Sequence, residues 1–240
     1  MTIYYFSGTG NSLFVSKKMA EKFNDTKIVN IAEVSGKRQI DVMENCIGIV
    51  FPLYYQTVPV IVQKFIKKLN FNNRCYVFSV VTCGYKVGAS MDLIEELLHG
   101  QGVELAAGFH LRMPYNFIIN GIGLKPPKEN QQKKIFDNAD AEIEYICEII
   151  RNHQRVGNVK RPLIKHIHPY SRYNEEKLAK TLGRSAKNFT VTDNCNGCGL
   201  CNRVCPVGNI VLADGLPKWY DKCEQCLSAI SPPPQINTHR

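Results

Sequence analysis

The sequence predicts an α/β protein, a five-stranded parallel doubly wound sheet followed by a small C-terminal cysteine module. Three observations lead there. Over the first 150 residues, apolar β-rich runs alternate with amphipathic helical patterns, the mark of a parallel sheet covered on both faces. A segment dense in glycine and hydroxyl residues directly follows the first of these runs and opens a helix. Six of the ten cysteines crowd between Cys195 and Cys226.

The strand-like runs lie at residues 2–6, 27–31, 46–52, 75–81 and 103–113. A helix is predicted at 12–23, where Val15, Met19 and Phe23 recur every four residues while Lys17, Lys18, Glu21 and Lys22 take the other face. Thr57 and Pro59 start a second at 59–69, with proline in the first turn where its missing N–H costs nothing. Further helices are read at 87–99 and 131–152. Crossovers of one hand then make the sheet doubly wound.

At 240 residues and 44% hydrophobic, the chain can bury one full-sized core and a second small module. The first strand begins directly after Met1 and no apolar stretch approaches a membrane span, which predicts no leader, no membrane and a cytoplasmic setting. There, ten cysteines argue for metal-binding thiolates over disulfides. Cys46, Cys75, Cys83 and Cys147, scattered through apolar runs, read as small buried hydrophobes.

The net charge of +9 is concentrated. Residues 151–187 hold ten Lys or Arg against Glu175 and Glu176, a local balance of +8. This reads as a solvated, partly helical linker that could attract an acidic partner protein, anionic lipid or nucleic acid. The expected organisation is therefore a main domain at 1–152, a basic linker at 153–190 with a helix near 174–182, a cysteine module at 191–230, and a tail at 231–240 that is disordered by composition.

After the first strand come Ser7, Gly8, Thr9, Gly10, Asn11 and Ser12. A dianionic phosphate needs several donors with little bulk, and hydroxyls, an amide, glycine-permitted backbone N–H groups and a helix N-terminus supply them. No Gly-Lys-Ser/Thr follows, so this is not a Walker loop, and the third glycine of the dinucleotide fingerprint is missing. The segment is similar to the FMN phosphate loop of flavodoxins. That resemblance implies two flavin loops at strand ends. Pro52, Tyr54 and Tyr55 stand in the first, and Thr82, Cys83, Gly84, Tyr85 and Gly88 in the second. Tyr54, Tyr55 and Tyr85 are the candidates for ring contact with an isoalloxazine, whose faces are apolar and whose edge hydrogen-bonds.

Cys195, Cys198, Cys201 and Cys205-Pro206 form a full C-x2-C-x2-C-x3-C-P run. In bacterial ferredoxins three thiolates of such a run hold one 4Fe-4S cubane and the fourth reaches the other cluster. Zinc ribbons instead use separated cysteine pairs. Cys223 and Cys226 begin a second motif, but Ala229 and Pro233 stand where its remaining cysteines are expected. The two-cluster layout then gives Cys195, Cys198 and Cys201 to one site and Cys205, Cys223 and Cys226 to the other, each one thiolate short. Three-ligand clusters, one cluster completed by rearrangement, or a module altered at its tail all remain open.

The whole arrangement, flavodoxin-like domain, basic linker and ferredoxin-like module, resembles the EFR-type ferredoxins, a fusion family of mostly anaerobic microbes. Residues 113–117 and Pro217-Lys218-Trp219 also look like that family. The resemblance implies electron transfer between FMN and one or two 4Fe-4S clusters, serving a redox protein with an acidic docking face. An electron carrier is expected rather than a stand-alone enzyme, since no residue stands out as general acid, base or nucleophile. The alternatives are an FMN-dependent NAD(P)H or quinone oxidoreductase, and a zinc-stabilised nucleic-acid-binding regulator using Cys195, Cys198, Cys223 and Cys226. Gly121-Ile122-Gly123 lacks the rest of a nicotinamide fingerprint, and His166 and His168 read as solvated linker residues.

Overall fold

Strands that are apolar on both sides need cover on both sides, and crossover helices supply it. The computed structural model describes residues 1–71, 74–84, 90–117, 126–156 and 173–230. The chain begins β1 (Thr2–Tyr5), α1 (Asn11–Ala20), β2 (Lys27–Asn30), α2 (Ile31–Val34) and β3 (Ile40–Val42). It continues through β4 (Cys46–Pro52), α3 (Val60–Ile66), β5 (Leu69–Phe71), β6 (Tyr76–Cys83), α4 (Ser90–His99), β7 (Leu105–Arg112) and α5 (Glu129–Arg151). Then follow α6 (Glu175–Ala186), α7 (Leu200–Val204), β8 (Ile210–Ala213) and β9 (Leu216–Trp219). Two units result, Met1–Ser7 with Asn11–Arg172, and Gly8–Gly10 with Tyr173–Arg240.

In the first unit β2, β1, β4, β6 and β7 hydrogen-bond in that order, each pair parallel. Counting main-sheet strands along the chain, this is the flavodoxin-like order 2-1-3-4-5 that the sequence predicts. α1 and α5 share one cover: Val15 and Met19 join Ile143, Ile146, Cys147 and Ile150 in the core. Phe14 meets Phe136 edge-on at 5.1 Å, and Lys22 pairs with Glu144 at 2.5 Å. Within the sheet, Gly48 on β4 leaves room for the fully buried ring of Phe78 on β6; a Cβ there would lie 2.3 Å from the ring.

The structure departs from the sequence reading in two places here. The helix predicted to reach residue 69 stops at Ile66, because Leu69–Phe71 pairs in parallel with β3 as a separate two-stranded sheet. Strands of three residues are too short to show a period. The predicted helix start at 87 lies outside the described residues; α4 is described from Ser90.

In the second unit, Asn174 caps α6 by accepting the Lys177 N–H at 2.9 Å. The sequence reading places this segment in the linker, yet α6 buries Leu178, Leu182 and Ala186. Gly183 is needed in mid-helix: a Cβ would lie 2.1 Å from the Asp221 carbonyl oxygen. β8 and β9 form a hairpin closed by Asp214 and Gly215, both left-handed with φ of 52° and 76°. Residues 157–172 of the predicted linker and the predicted disordered tail at 231–240 lie outside the described residues. Among the described residues no helix is long and apolar enough to cross a membrane.

Gly48→Ala is expected to destabilise the fold by about 1–3 kcal/mol through overpacking against Phe78, measured by urea unfolding. His110 on β7 supplies a pH test, since burial lowers its pKa to about 4. Between an unfolded-state pKa of about 6.5 and the folded value, the unfolded chain binds a proton that the folded chain refuses. Its contribution to stability is thus present above that upper limit and is lost as pH falls toward the lower one. His110→Gln should flatten this part of the stability–pH profile.

Candidate functional site

The parallel sheet brings the carboxyl ends of β1, β4, β6 and β7 to one edge, and the strand order reverses between β1 and β4. Backbone bonds extend the sheet into the loops there. Leu53 N–H donates to the Thr82 carbonyl at 2.8 Å, and Met113 N–H to the Cys83 carbonyl at 2.9 Å. Asn11, the first residue of α1, donates its Nδ2–H to the Pro114 carbonyl at 3.0 Å. Ser7, Gly8, Thr9 and Gly10 make the turn from β1 into α1, which ends at the electropositive start of that ten-residue helix. Gly10 has φ of 105°, which favours glycine, and a Cβ there would meet nothing within 4 Å.

Ser12 and Thr82 enter as cofactor-contact candidates, but the fold spends their hydroxyls on each other. Ser12 is 1% exposed, Thr82 is 3% exposed, and their oxygens lie 2.9 Å apart. The pair braces α1 against β6. Cys83 is a half-buried thiol whose pKa burial pushes up to about 11, so it stays neutral at ordinary pH.

After β4, Pro52 ends the strand and Tyr55 and Gln56 adopt left-handed φ of 52° and 61°. Thr57 N–H closes this turn on the Tyr54 carbonyl at 2.9 Å. Two consecutive non-glycine residues there cost about 1–3 kcal/mol each, a strain typical of ligand loops. Tyr54 meets Phe6 edge-on at 6.2 Å, Tyr55 meets Phe117 at 6.0 Å, and Tyr115 stands 6.4 Å from Phe117. Gly84 permits the Tyr115 ring to approach; a Cβ would lie 2.7 Å from it. Tyr115 and Phe117 were visible in sequence only as part of the 113–117 segment; the chain-distant pairing with Tyr55 was not. Tyr85 and Gly88 lie outside the described residues.

In the second unit, the cysteine run is shaped by Gly197 and Gly199, left-handed at φ of 69° and 73°. Cys198 N–H donates to Asn196 Oδ1 at 3.2 Å, Cys198 is exposed, and Cys201 lies in α7. Asn202 Nδ2–H fastens α7 to β8 through the Ile210 carbonyl at 2.5 Å. Cys205, Cys223 and Cys226 come together from separate segments and line one cavity, whose walls include Trp219, Leu227 and Ala229. Ala229 thus places a methyl on the wall where the ferredoxin pattern would have a thiolate.

The sulfurs of this cavity are supplied with polar contacts. Asn209 N–H donates to Cys205 Sγ at 3.2 Å and Gln225 N–H to Cys223 Sγ at 3.3 Å, while Ser228 Oγ lies 3.2 Å from Cys226 Sγ. Burial pushes the Cys223 thiol up to about 11 and also raises Cys226, so a metal must displace their protons to bind. Among the described residues, no group of three or more His, Cys, Asp or Glu is spaced to hold a metal ion. Cys205, Cys223 and Cys226 thus line one cavity, and two of their sulfurs accept backbone N–H bonds.

Residues 190–211 match the family described as 4Fe-4S binding domain. A ferredoxin-like protein in the nif region of Trichormus variabilis is 37% identical over 49 residues, which are 20% of this chain and 42% of that protein. The same protein of Nostoc sp. matches equally, at 37% over 49 residues, 20% and 42% of the two chains. The chain therefore spans less than half the length of these curated relatives. Among solved structures, a putative flavoprotein from Bacteroides uniformis is 19% identical, with a TM-score of 0.38, covering 47% of this chain and 90% of the other. Two-electron reduced flavodoxin from Megasphaera elsdenii is 15% identical, with a TM-score of 0.33, covering 59% and 99%.

Thr82→Val should leave the buried Ser12 hydroxyl without its partner and cost about 1–3 kcal/mol, read from urea unfolding.

Proposed function

We propose that this protein is an electron carrier of the EFR type, holding FMN at the loops after β1, β4 and β6 and 4Fe-4S iron-sulfur centres on its six C-terminal cysteines. The observation that carries the reading is the cavity lined by Cys205, Cys223 and Cys226, with amide N–H groups already aimed at two of its sulfurs.

Bound FMN supplies one- or two-electron chemistry and a cubane cluster one-electron chemistry. The chain's own residues do the holding. Ser7 to Asn11 and the start of α1 bind a phosphate, Tyr54 and Tyr55 flank a flat ring, and Cys195, Cys198 and Cys201 form a second set of thiolates. Apolar walls around the thiols keep water out and strengthen each N–H···S contact. Lys177, Lys180 and Arg184 on α6 and Lys187 at its C-cap are exposed, which supports docking of an acidic redox protein through steering charge.

Protein purified without oxygen is expected to carry FMN near one per chain, with iron and acid-labile sulfide near four to eight per chain, on the roughly four-iron stoichiometry of a cubane. FMN without iron or sulfide would end the iron-sulfur half of the reading, and zinc near one per chain would favour a metal-stapled regulator. Steady NAD(P)H consumption by the isolated protein would favour an oxidoreductase over a carrier. Cys223→Ser should lower bound iron by about half if two clusters assemble, measured beside a Cys75→Ser control that leaves iron unchanged.

A further inference from the structure

We propose that the side-chain amide of Asn209 donates a hydrogen bond to sulfur of the cluster held by Cys205, Cys223 and Cys226, and so raises the potential at which that cluster accepts an electron. This rests on the iron-sulfur reading of the cavity and deepens it.

Asn209 is 1% exposed and lies on the cavity wall. Its other polar atoms are engaged. The backbone N–H donates to Cys205 Sγ at 3.2 Å, the carbonyl accepts from Tyr220 N–H at 2.9 Å, and Oδ1 accepts from Lys222 N–H at 2.6 Å. Nδ2 is buried and has no partner among the described residues. Because a backbone donor holds Oδ1, the amide cannot flip to exchange its two ends.

A buried NH2 without an acceptor is costly and calls for an explanation in the site it faces. Glu224 and Ser228 also line the cavity, yet neither engages Nδ2. What Nδ2 lacks among the described residues is an acceptor of its own, although Glu224 and three thiols line the same cavity, and sulfur of a bound cluster would supply one. Reduction adds negative charge to that sulfur, so the donor stabilises the reduced form more than the oxidised form. Asn209 is a positioning and tuning residue, and no cysteine spacing points to it.

The test uses full-length protein loaded with iron and sulfide under anaerobic conditions, with potentials read by EPR-monitored titration. The signal followed is the one lost in Cys223→Ser; if wild-type protein has no such signal, the iron-sulfur reading of this cavity fails, whatever Asn209 does. Asn209→Leu and Asn209→Ala remove the donor without adding charge, and Asn209→Gln keeps an amide. Leu and Ala variants with wild-type iron content should favour the oxidised form about tenfold more, a fall of ~59 mV for a one-electron couple, and the Gln variant should recover part of it. Unchanged potentials in loaded Leu or Ala variants overturn the inference. Loss of iron from both Leu and Ala variants overturns it too, since Asn209 would then be only a prop for the Lys222 turn.

Discussion

Parallel pairing of β1 with β4 is the constraint on which the first unit depends. The register from Thr2 opposite Ile47 to Tyr5 opposite Val50 ends both strands together, and the order reverses between them. Chain leaving β1 must turn into α1, and chain leaving β4 must turn the other way, which opens a crevice at their carboxyl ends. Everything that could hold a phosphate and a flat ring hangs on that divergence. Gly48 serves it from below, since only a missing side chain lets Phe78 fill the centre of the sheet.

Bracing at that edge is as informative as the open groups. Ser12 with Thr82, Asn11 with Pro114 and Met113 with Cys83 join loops from three strands. Rigid support of this kind allows the left-handed turn at Tyr55 and Gln56 to persist, with its strain offset by the packing around it.

The second unit obeys a different economy. Its buried apolar surface is small, and its turns depend on left-handed residues at Gly197, Gly199, Asp214, Gly215, Gln225 and Leu227. Backbone bent so tightly directs N–H groups inward, and two of them reach cysteine sulfurs. Buried thiols with raised pKa values gain nothing by ionising alone, so a metal centre that replaces their protons couples its own binding to the stability of the module.

The parallel sheet, its five main strands, the turn from β1 into α1 and the six crowded cysteines were legible in the sequence because each rests on local pattern: apolar runs, glycine beside hydroxyls, and thiol spacing. β3 and β5 were not, since three residues show no period and their pairing joins segments far apart in the chain. Nor was the inward pairing of Ser12 and Thr82, which sequence alone presents as two more donors. α6 reads as a basic linker helix until Gly183 is seen against the Asp221 carbonyl. The gathering of Cys205, Cys223 and Cys226, the methyl of Ala229 on the same wall and the Asn209 Nδ2 that finds no partner among the described residues belong to tertiary structure alone. Spacing determines which thiols can act together, whereas burial and the direction of each donor are decided only when distant segments close around a common cavity.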